Sequence, residues 1–70
     1  MMIVDSKEVW RAMLDLNVGT MQVAKDSGLP TKTISNFVTA DRKARVPTIN
    51  RLARALKVPP MTLVKAAEES

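Results

Sequence analysis

The chain has 70 residues, 46% of them hydrophobic and 26% charged, which fits one globular domain and excludes both a disordered tail and a second hydrophobic core. It contains no cysteine and no histidine, so disulfides, thiolate zinc sites and imidazole acid–base chemistry are excluded. The formal net charge is +4, and no apolar run approaches the roughly 18 residues of a membrane span. We therefore expect a cytoplasmic, single-domain protein over residues 1–70 that is not an enzyme and has no cofactor, metal, small-molecule substrate or membrane partner.

The first predicted helix covers residues 7–16. Asp5 followed by Glu8 three positions later is a capping-box pattern, which marks the start of a helix. The apolar residues that follow recur at helical spacing on one side of it, namely Val9, Trp10, Met13 and Leu14. Residues 17–19 then break the helix.

The second and third predicted helices lie within residues 20–39. Thr20 is the predicted N-cap of the second helix, which ends near Ser27, and Gly28 stands where the chain must turn left-handed. The third helix runs roughly over residues 31–39, with Pro30 or Thr31 at its cap. Its apolar face carries Ile34, Phe37 and Val38, and its polar face carries Lys32, Ser35, Asn36 and Thr39.

The remaining chain predicts a polar loop over residues 40–45, a fourth helix from residue 46 and a short last helix over residues 61–67. Pro47 suits a first helical turn, and Pro59 with Pro60 enforces the break before the last helix. No stretch alternates apolar and polar residues for more than a few positions, so we expect no strands. The predicted fold class is all-α, a compact domain of five short helices.

Three residues within 20–39 have the spacing of a tight helix-turn-helix. Ala24 is small enough for the next helix to cross over it, Gly28 can adopt positive φ, and Ile34 fills the wedge between the helices. The charge agrees with a polyanion partner, because residues 30–57 contain seven Lys or Arg against Asp41 alone, a net charge of +6.

With these features the sequence resembles the Cro and phage-repressor type of helix-turn-helix regulators, the five-helix lambda-repressor-like domains. The matching stretches are TMQVA at 20–24, GL at 28–29, TIS at 33–35, TINRLARALKV at 48–58, and Leu63. The resemblance implies a transcriptional regulator that binds a double-stranded DNA operator as a homodimer, with its third helix in the major groove.

The resemblance also assigns roles to individual positions. Residues at positions that commonly contact bases, or bases and phosphates, are Thr31, Lys32, Ser35, Asn36 and Thr39. Those expected to contact phosphates are Thr20, where the family usually has Gln, and the cations of the following loop, Arg42, Lys43 and Arg45. The side-chain chemistry agrees, since Lys suits guanine O6 and N7 and Asn suits adenine N6 and N7.

The sequence departs from the family at two places. The family's buried Arg–Glu pair is replaced by Met13 and Val38. Both are apolar, so we expect them to pack against each other in the core in place of the ion pair. The usual Gly and Pro of the next loop are Ala40 and Ala44, so the path of that loop stays open.

Each functional assignment has a structural alternative. Lys32, Asn36 and the loop cations could simply be solvated, which is the interpretation we prefer for Arg51 and Arg54. Trp10 and Phe37 could stack on single-stranded nucleic acid, but we expect core packing. Met61, Leu63 and Val64 could form a dimer seam or close the core.

The rival to a DNA-binding regulator is a modulator or antirepressor of the same fold that binds a separate repressor protein. Three features motivate it. Thr20 replaces the usual Gln, Met13 and Val38 replace the family's ion pair, and Lys32 is the one long basic side chain on the exposed face of the third helix.

Overall fold

A computed structural model describes residues 1–67 of the chain, and residues 68–70 lie outside the described part. The elements follow one another as β1 (Met2–Val4), α1 (Ser6–Leu16), α2 (Thr20–Ser27), α3 (Thr31–Thr39), β2 (Arg42–Ala44), α4 (Val46–Leu56), α5 (Pro60–Leu63) and β3 (Val64–Ala67). The domain is mostly helical with a small three-stranded sheet. The helical prediction is confirmed in this coarse form, and the prediction of an all-α fold without strands is wrong.

The sheet has the order β2-β1-β3, with both pairs antiparallel. Met2 lies opposite Ala44, and Val4 lies opposite Arg42 on one side and Val64 on the other. The sheet corrects two predicted segments. Residues 40–45 contain β2 instead of a loop alone, and the last helix stops at Leu63, after which β3 begins at Val64. These strands exist because they pair with β1 far away in the chain, which local periodicity does not reveal.

The start of α1 confirms the predicted cap but only half of the capping box. The Asp5 carboxylate accepts the backbone N–H of Lys7 at 2.9 Å. The Asp5 N–H donates to the Leu63 carbonyl at 2.8 Å instead of to Glu8, and Glu8 pairs with Arg11 at 3.3 Å. The helix is therefore capped by its own Asp5 and tied to α5.

The buried face of α1 is centred on Val9, Ala12 and Met13. Trp10 lies 100° around the helix from Val9 and is 51% exposed, and Leu14 is 62% exposed. The prediction that Trp10 packs in the core is therefore wrong, whereas core packing of Met13 is confirmed.

The turn between α2 and α3 forms as the sequence predicts. Gly28 has φ +74°, and its N–H donates to the Ala24 carbonyl at 2.9 Å. Pro30 is the N-cap of α3. One detail differs, because Gly19 adopts the extended backbone of the α2 N-cap, so Thr20 is the first helical residue and not the cap.

The core lies between the helices and one face of the sheet. Ile34 is fully buried beside Val23, Ala24 and Phe37, which confirms the predicted contact between α2 and α3. Fully burying a side chain of this size contributes roughly 1.5–3 kcal/mol. Leu63 is also fully buried and closes the core, whereas Met61 is exposed. The other core residues come from β1, β2 and the buried side of α4, namely Val4, Ala44, Ile49, Leu52, Ala53, Ala55 and Leu56.

No helix in residues 1–67 is long and apolar enough to cross a membrane.

Candidate nucleic-acid interface

The polar face of α3 is directed to solvent. Ile34 and Phe37 turn inward, and the five predicted base-contacting residues lie on the remaining surface. Four of them are exposed and Asn36 is half-buried, the full set being Thr31, Lys32, Ser35, Asn36 and Thr39. The helix therefore presents short polar groups and one ammonium group along its accessible side.

The last turn of α3 is organised around the backbone carbonyl of Asn36. It accepts the hydroxyl of Thr39 at 3.2 Å, the Nε–H of Arg42 at 3.4 Å and the N–H of Ala40 at 3.4 Å. This satisfies a carbonyl that would otherwise be an orphan of the helix end. The Thr39 hydroxyl hydrogen is thus engaged, while its oxygen can still accept a hydrogen bond.

The side-chain amide of Asn36 makes no hydrogen bond within residues 1–67. An amide has two N–H donors and a carbonyl acceptor. Because this amide is at the surface with its groups uncommitted, it can exchange water for the edge of a base.

The structure separates the three predicted phosphate-contacting cations of residues 42–45. Arg42 lies at the carboxyl end of α3, where a cation also interacts favourably with the helix dipole. Lys43 lies on the opposite face of the sheet from the buried Ala44, because side chains alternate along a strand. Arg45 is the N-cap of α4. All three are exposed, and Arg42 is the one brought against α3.

Thr20 lies in the first turn of α2 and is half-buried. No side chain caps this helix, so its first backbone N–H groups have no capping side chain among the described residues. A hydroxyl beside these N–H groups suits the predicted phosphate contact.

Asp41 makes two contacts near α3 that the sequence does not predict. One carboxylate oxygen, Oδ1, accepts the backbone N–H of Ser6 at 2.9 Å, and the other, Oδ2, accepts Lys65 Nζ at 3.0 Å. The hydrogen bond from Ser6, followed by that from Lys65, lowers the pKa of Asp41 to about 2. The hydrogen bond between Lys65 and Asp41 also raises the pKa of Lys65. Asp41, the single acid of residues 30–57, therefore contacts α1 and β3. A local sequence pattern cannot predict a contact between residues 35 positions apart.

A shallow cavity of about 270 Å³ lies beside α1 and the end of α3. Its lining residues are Ser6, Lys7, Trp10 and Val38. Residues 1–67 contain no group of three or more acidic, Cys or His side chains that could hold a metal ion.

No protein-family model matches the chain, and no curated protein matches it. Its fold is similar to part of the chain in three solved structures. A structure of 2-hydroxyethylphosphonate dioxygenase (HEPD) matches with a TM-score of 0.80 and 24% identity. Native PhpD with cadmium atoms matches with a TM-score of 0.76, and PhpD with cadmium and hydroethylphosphonate with 0.75, both at 23% identity.

Each match covers 94% of this chain but only 14–16% of the other chain. At this identity the likeness shows a shared fold, and the dioxygenase activity, cadmium and phosphonate belong to those proteins. The solved structures that match are PhpD and HEPD and not regulators of the Cro or phage-repressor type. The assignment to that family is therefore wrong, and the site residues must be judged on their own geometry.

Proposed function

We propose that this protein is a sequence-specific DNA-binding regulator that inserts α3 into the major groove of duplex DNA. The observation that carries the proposal is the contact between Arg42 Nε and the Asn36 carbonyl at 3.4 Å. It joins a cation suited to phosphate to the polar face suited to base edges. Phosphate contacts can then set the register in which α3 reads the bases.

The local architecture supports this use of α3. Residues 28–30 connect α2 to α3 in a short turn, and the two helices share the core through Ala24 and Ile34. The proposal takes this pair as a helix-turn-helix, whose second helix fits the major groove of B-DNA. Lys32 then contacts guanine and Asn36 contacts adenine, with the shorter side chains of Thr31, Ser35 and Thr39 beside them.

The charge around α3 supports a phosphate-rich partner. Residues Thr31–Thr39 contain no acid. The nearby carboxylate of Asp41 is engaged by Ser6 and Lys65, so its charge is offset. Under the proposal, Arg42 contacts the phosphate backbone from the carboxyl end of α3, and Thr20 contacts it from the start of α2. Lys43 contacts it from β2 and Arg45 from the start of α4.

The placement of the aromatic residues favours duplex over single-stranded DNA. Single-strand binding surfaces stack bases on exposed aromatic rings within a cationic groove. Phe37 is buried, and Trp10, although 51% exposed, lies on α1 beside Val38, on the side of α3 that is turned away from Asn36. The polar face of α3 therefore offers hydrogen-bonding groups without a stacking platform.

A second candidate function is a protein-binding module that acts on another protein, such as a separate repressor. The observation that favours it is the occurrence of this fold as 14–16% of the longer PhpD and HEPD chains. A fold that forms part of a larger chain can serve by packing against its neighbours. The exposed apolar side chains of Trp10 and Leu14 suit such packing.

The test is to select, from a pool of randomised DNA duplexes, those that bind the purified protein. The affinity for the selected duplexes is then measured by fluorescence anisotropy over a salt series. We expect an enriched sequence and a log–log salt slope of several units. The Arg54→Ala variant is the control in the salt series. Arg54 is an exposed cation of α4 that we expect to be solvated, so its removal should leave the salt slope unchanged. Absence of an enriched sequence, with binding lost by about 200 mM salt, would contradict the proposal and favour the protein-binding module.

A further inference from the structure

Helix α1 exposes a continuous stripe made of Lys7, Trp10 and Leu14. The spacing of three and four residues places them within an arc of roughly 60° on the helix surface. Trp10 is 51% and Leu14 62% exposed, on a face turned away from the buried Val9. An indole and a leucine one turn apart in water are a surface whose burial would be favourable.

Two charges of α1 are placed against its own dipole, whereas Glu8 in the first turn suits it. Lys7 lies in the first turn, which is the positive end, and Asp15 lies in the last turn, which is the negative end and has no basic residue. Neither side chain makes a hydrogen bond or an ion pair within the described residues. Both charges are therefore at unfavourable ends of the isolated helix.

We propose that a second copy of this chain packs on the stripe, with the two α1 helices antiparallel about a two-fold axis. Trp10 of each copy then meets Leu14 of the other. Lys7 of each copy lies beside the last turn of the other, near its Asp15 and the negative end of its dipole. A two-fold interface makes each contact twice, so one arrangement compensates both misplaced charges in both copies. Arg11 lies between Lys7 and Asp15 on the same side of α1 and faces its own copy across the axis, where its charge is offset by the ion pair with Glu8 at 3.3 Å.

The cavity at the amino end of α1 supplies the matching shape. Trp10 and Lys7 contribute to both the stripe and the cavity, and Val38 of α3 also lines the cavity. In the antiparallel arrangement, Leu14 of the second copy enters this volume of about 270 Å³. This contact would remove apolar surface of both copies from water.

The proposed surface is separate from the polar face of α3. Val38 lies about 120° around α3 from Lys32 and about 160° from Asn36. Self-association through α1 therefore does not depend on DNA binding, and the two proposals can fail independently.

The test uses Trp10 itself, because it is the one tryptophan of the chain and there is no tyrosine. Sedimentation and Trp fluorescence are measured on the same samples from low micromolar to millimolar concentration. We expect a monomer–dimer equilibrium in which emission moves to shorter wavelength in step with dimer formation. Leu14→Asp should abolish both changes, whereas Met21→Ala, at a 77% exposed methionine of α2, should change neither.

A charge exchange tests the orientation. Lys7→Glu and Asp15→Lys should each weaken the dimer at least several-fold, although each raises the melting temperature of the monomer by suiting the helix dipole. Mixing the two single variants should restore association, because each supplies the charge that the other lacks. A chain that stays monomeric at millimolar concentration would overturn the proposal. So would a dimer with unchanged Trp emission, or a dimer indifferent to both charge reversals.

Discussion

The carboxylate of Asp41 accepts the backbone N–H of Ser6 at 2.9 Å and joins the turn after α3 to the first turn of α1 across 35 residues of chain. Its second oxygen accepts Lys65 Nζ in β3 at 3.0 Å. One side chain thus connects three elements that local sequence patterns treat separately. The orientation of the segment between α3 and β2 depends on it.

The first prediction concerns the acid stability of this connection. The pKa of Asp41 is about 2 in the folded chain, below its ordinary 3.8, because the carboxylate is hydrogen-bonded in its charged form. Its contribution is therefore present above about pH 4 and is lost as pH falls toward 2. Asp41→Asn should lower the melting temperature at neutral pH, and the difference from the wild type should shrink as pH falls from about 4 and disappear below the folded pKa of about 2. Asp26→Asn, at an exposed carboxylate of α2, is the control, and an Asp41→Asn deficit that is constant with pH would contradict this explanation.

Gly28 and Gly19 form a matched pair for testing the turn before α3. An added Cβ meets no atom within 4 Å at either position, but only Gly28 has positive φ, at +74°. Gly28→Ala should therefore destabilise the fold by about 1 kcal/mol through backbone strain alone. Gly19→Ala, at an extended backbone, should be neutral or slightly stabilising. Denaturant unfolding measures both, and equal effects would contradict the role assigned to Gly28.

Ile34 tests the contact between α2 and α3. It is fully buried, so Ile34→Val should cost about 0.5–1.5 kcal/mol and Ile34→Ala about 2–5 kcal/mol in unfolding free energy. Met21→Ala truncates a 77% exposed side chain of α2, outside the proposed α1 interface, and should change stability by less than about 0.5 kcal/mol. The smaller substitution keeps the comparison measurable if Ile34→Ala does not fold. A loss at Met21 as large as at Ile34 would contradict this assignment of the core.

Arg42 tests the proposed phosphate contacts. Arg42→Ala should weaken binding to all duplexes alike and reduce the log–log salt slope by about 1. Arg54→Ala removes the same charge from α4, where we expect no contact, and should leave the slope unchanged. Anisotropy titrations at several salt concentrations separate the two results. An unchanged slope for Arg42→Ala would remove this residue from the interface.

The sequence could predict the parts of the fold that depend on neighbouring residues. A glycine at position 28, before Leu29 and Pro30, predicts the left-handed turn that ends α2. The helical spacing of Ile34 and Phe37 indicates the buried face of α3. Asp5 likewise marks the start of α1. These features depend on a few adjacent positions, so a single sequence contains them.

Features that depend on distant pairing were not predicted. Arg42 and Lys43 are typical of a charged loop, yet they form an edge strand because β1 supplies the partner some 40 residues earlier. Val64 begins a strand for the same reason. The apolar spacing of α1 predicts that Trp10 shares the buried side of the helix with Val9, whereas Ala12 is the residue that shares this buried face. The polar face of α3 was located correctly, and its function stays a prediction.

The most direct test of the central claim is the base preference of the Asn36→Ala variant, measured by selection on the same randomised duplex pool as the wild type. Asn50→Ala, at an exposed asparagine of α4, is the matched control. We expect Asn36→Ala to lose about 1–3 kcal/mol of discrimination at one base position, while Asn50→Ala keeps the wild-type preference. An Asn36→Ala variant that selects the same sequences as the wild type would show that α3 does not read bases through this residue.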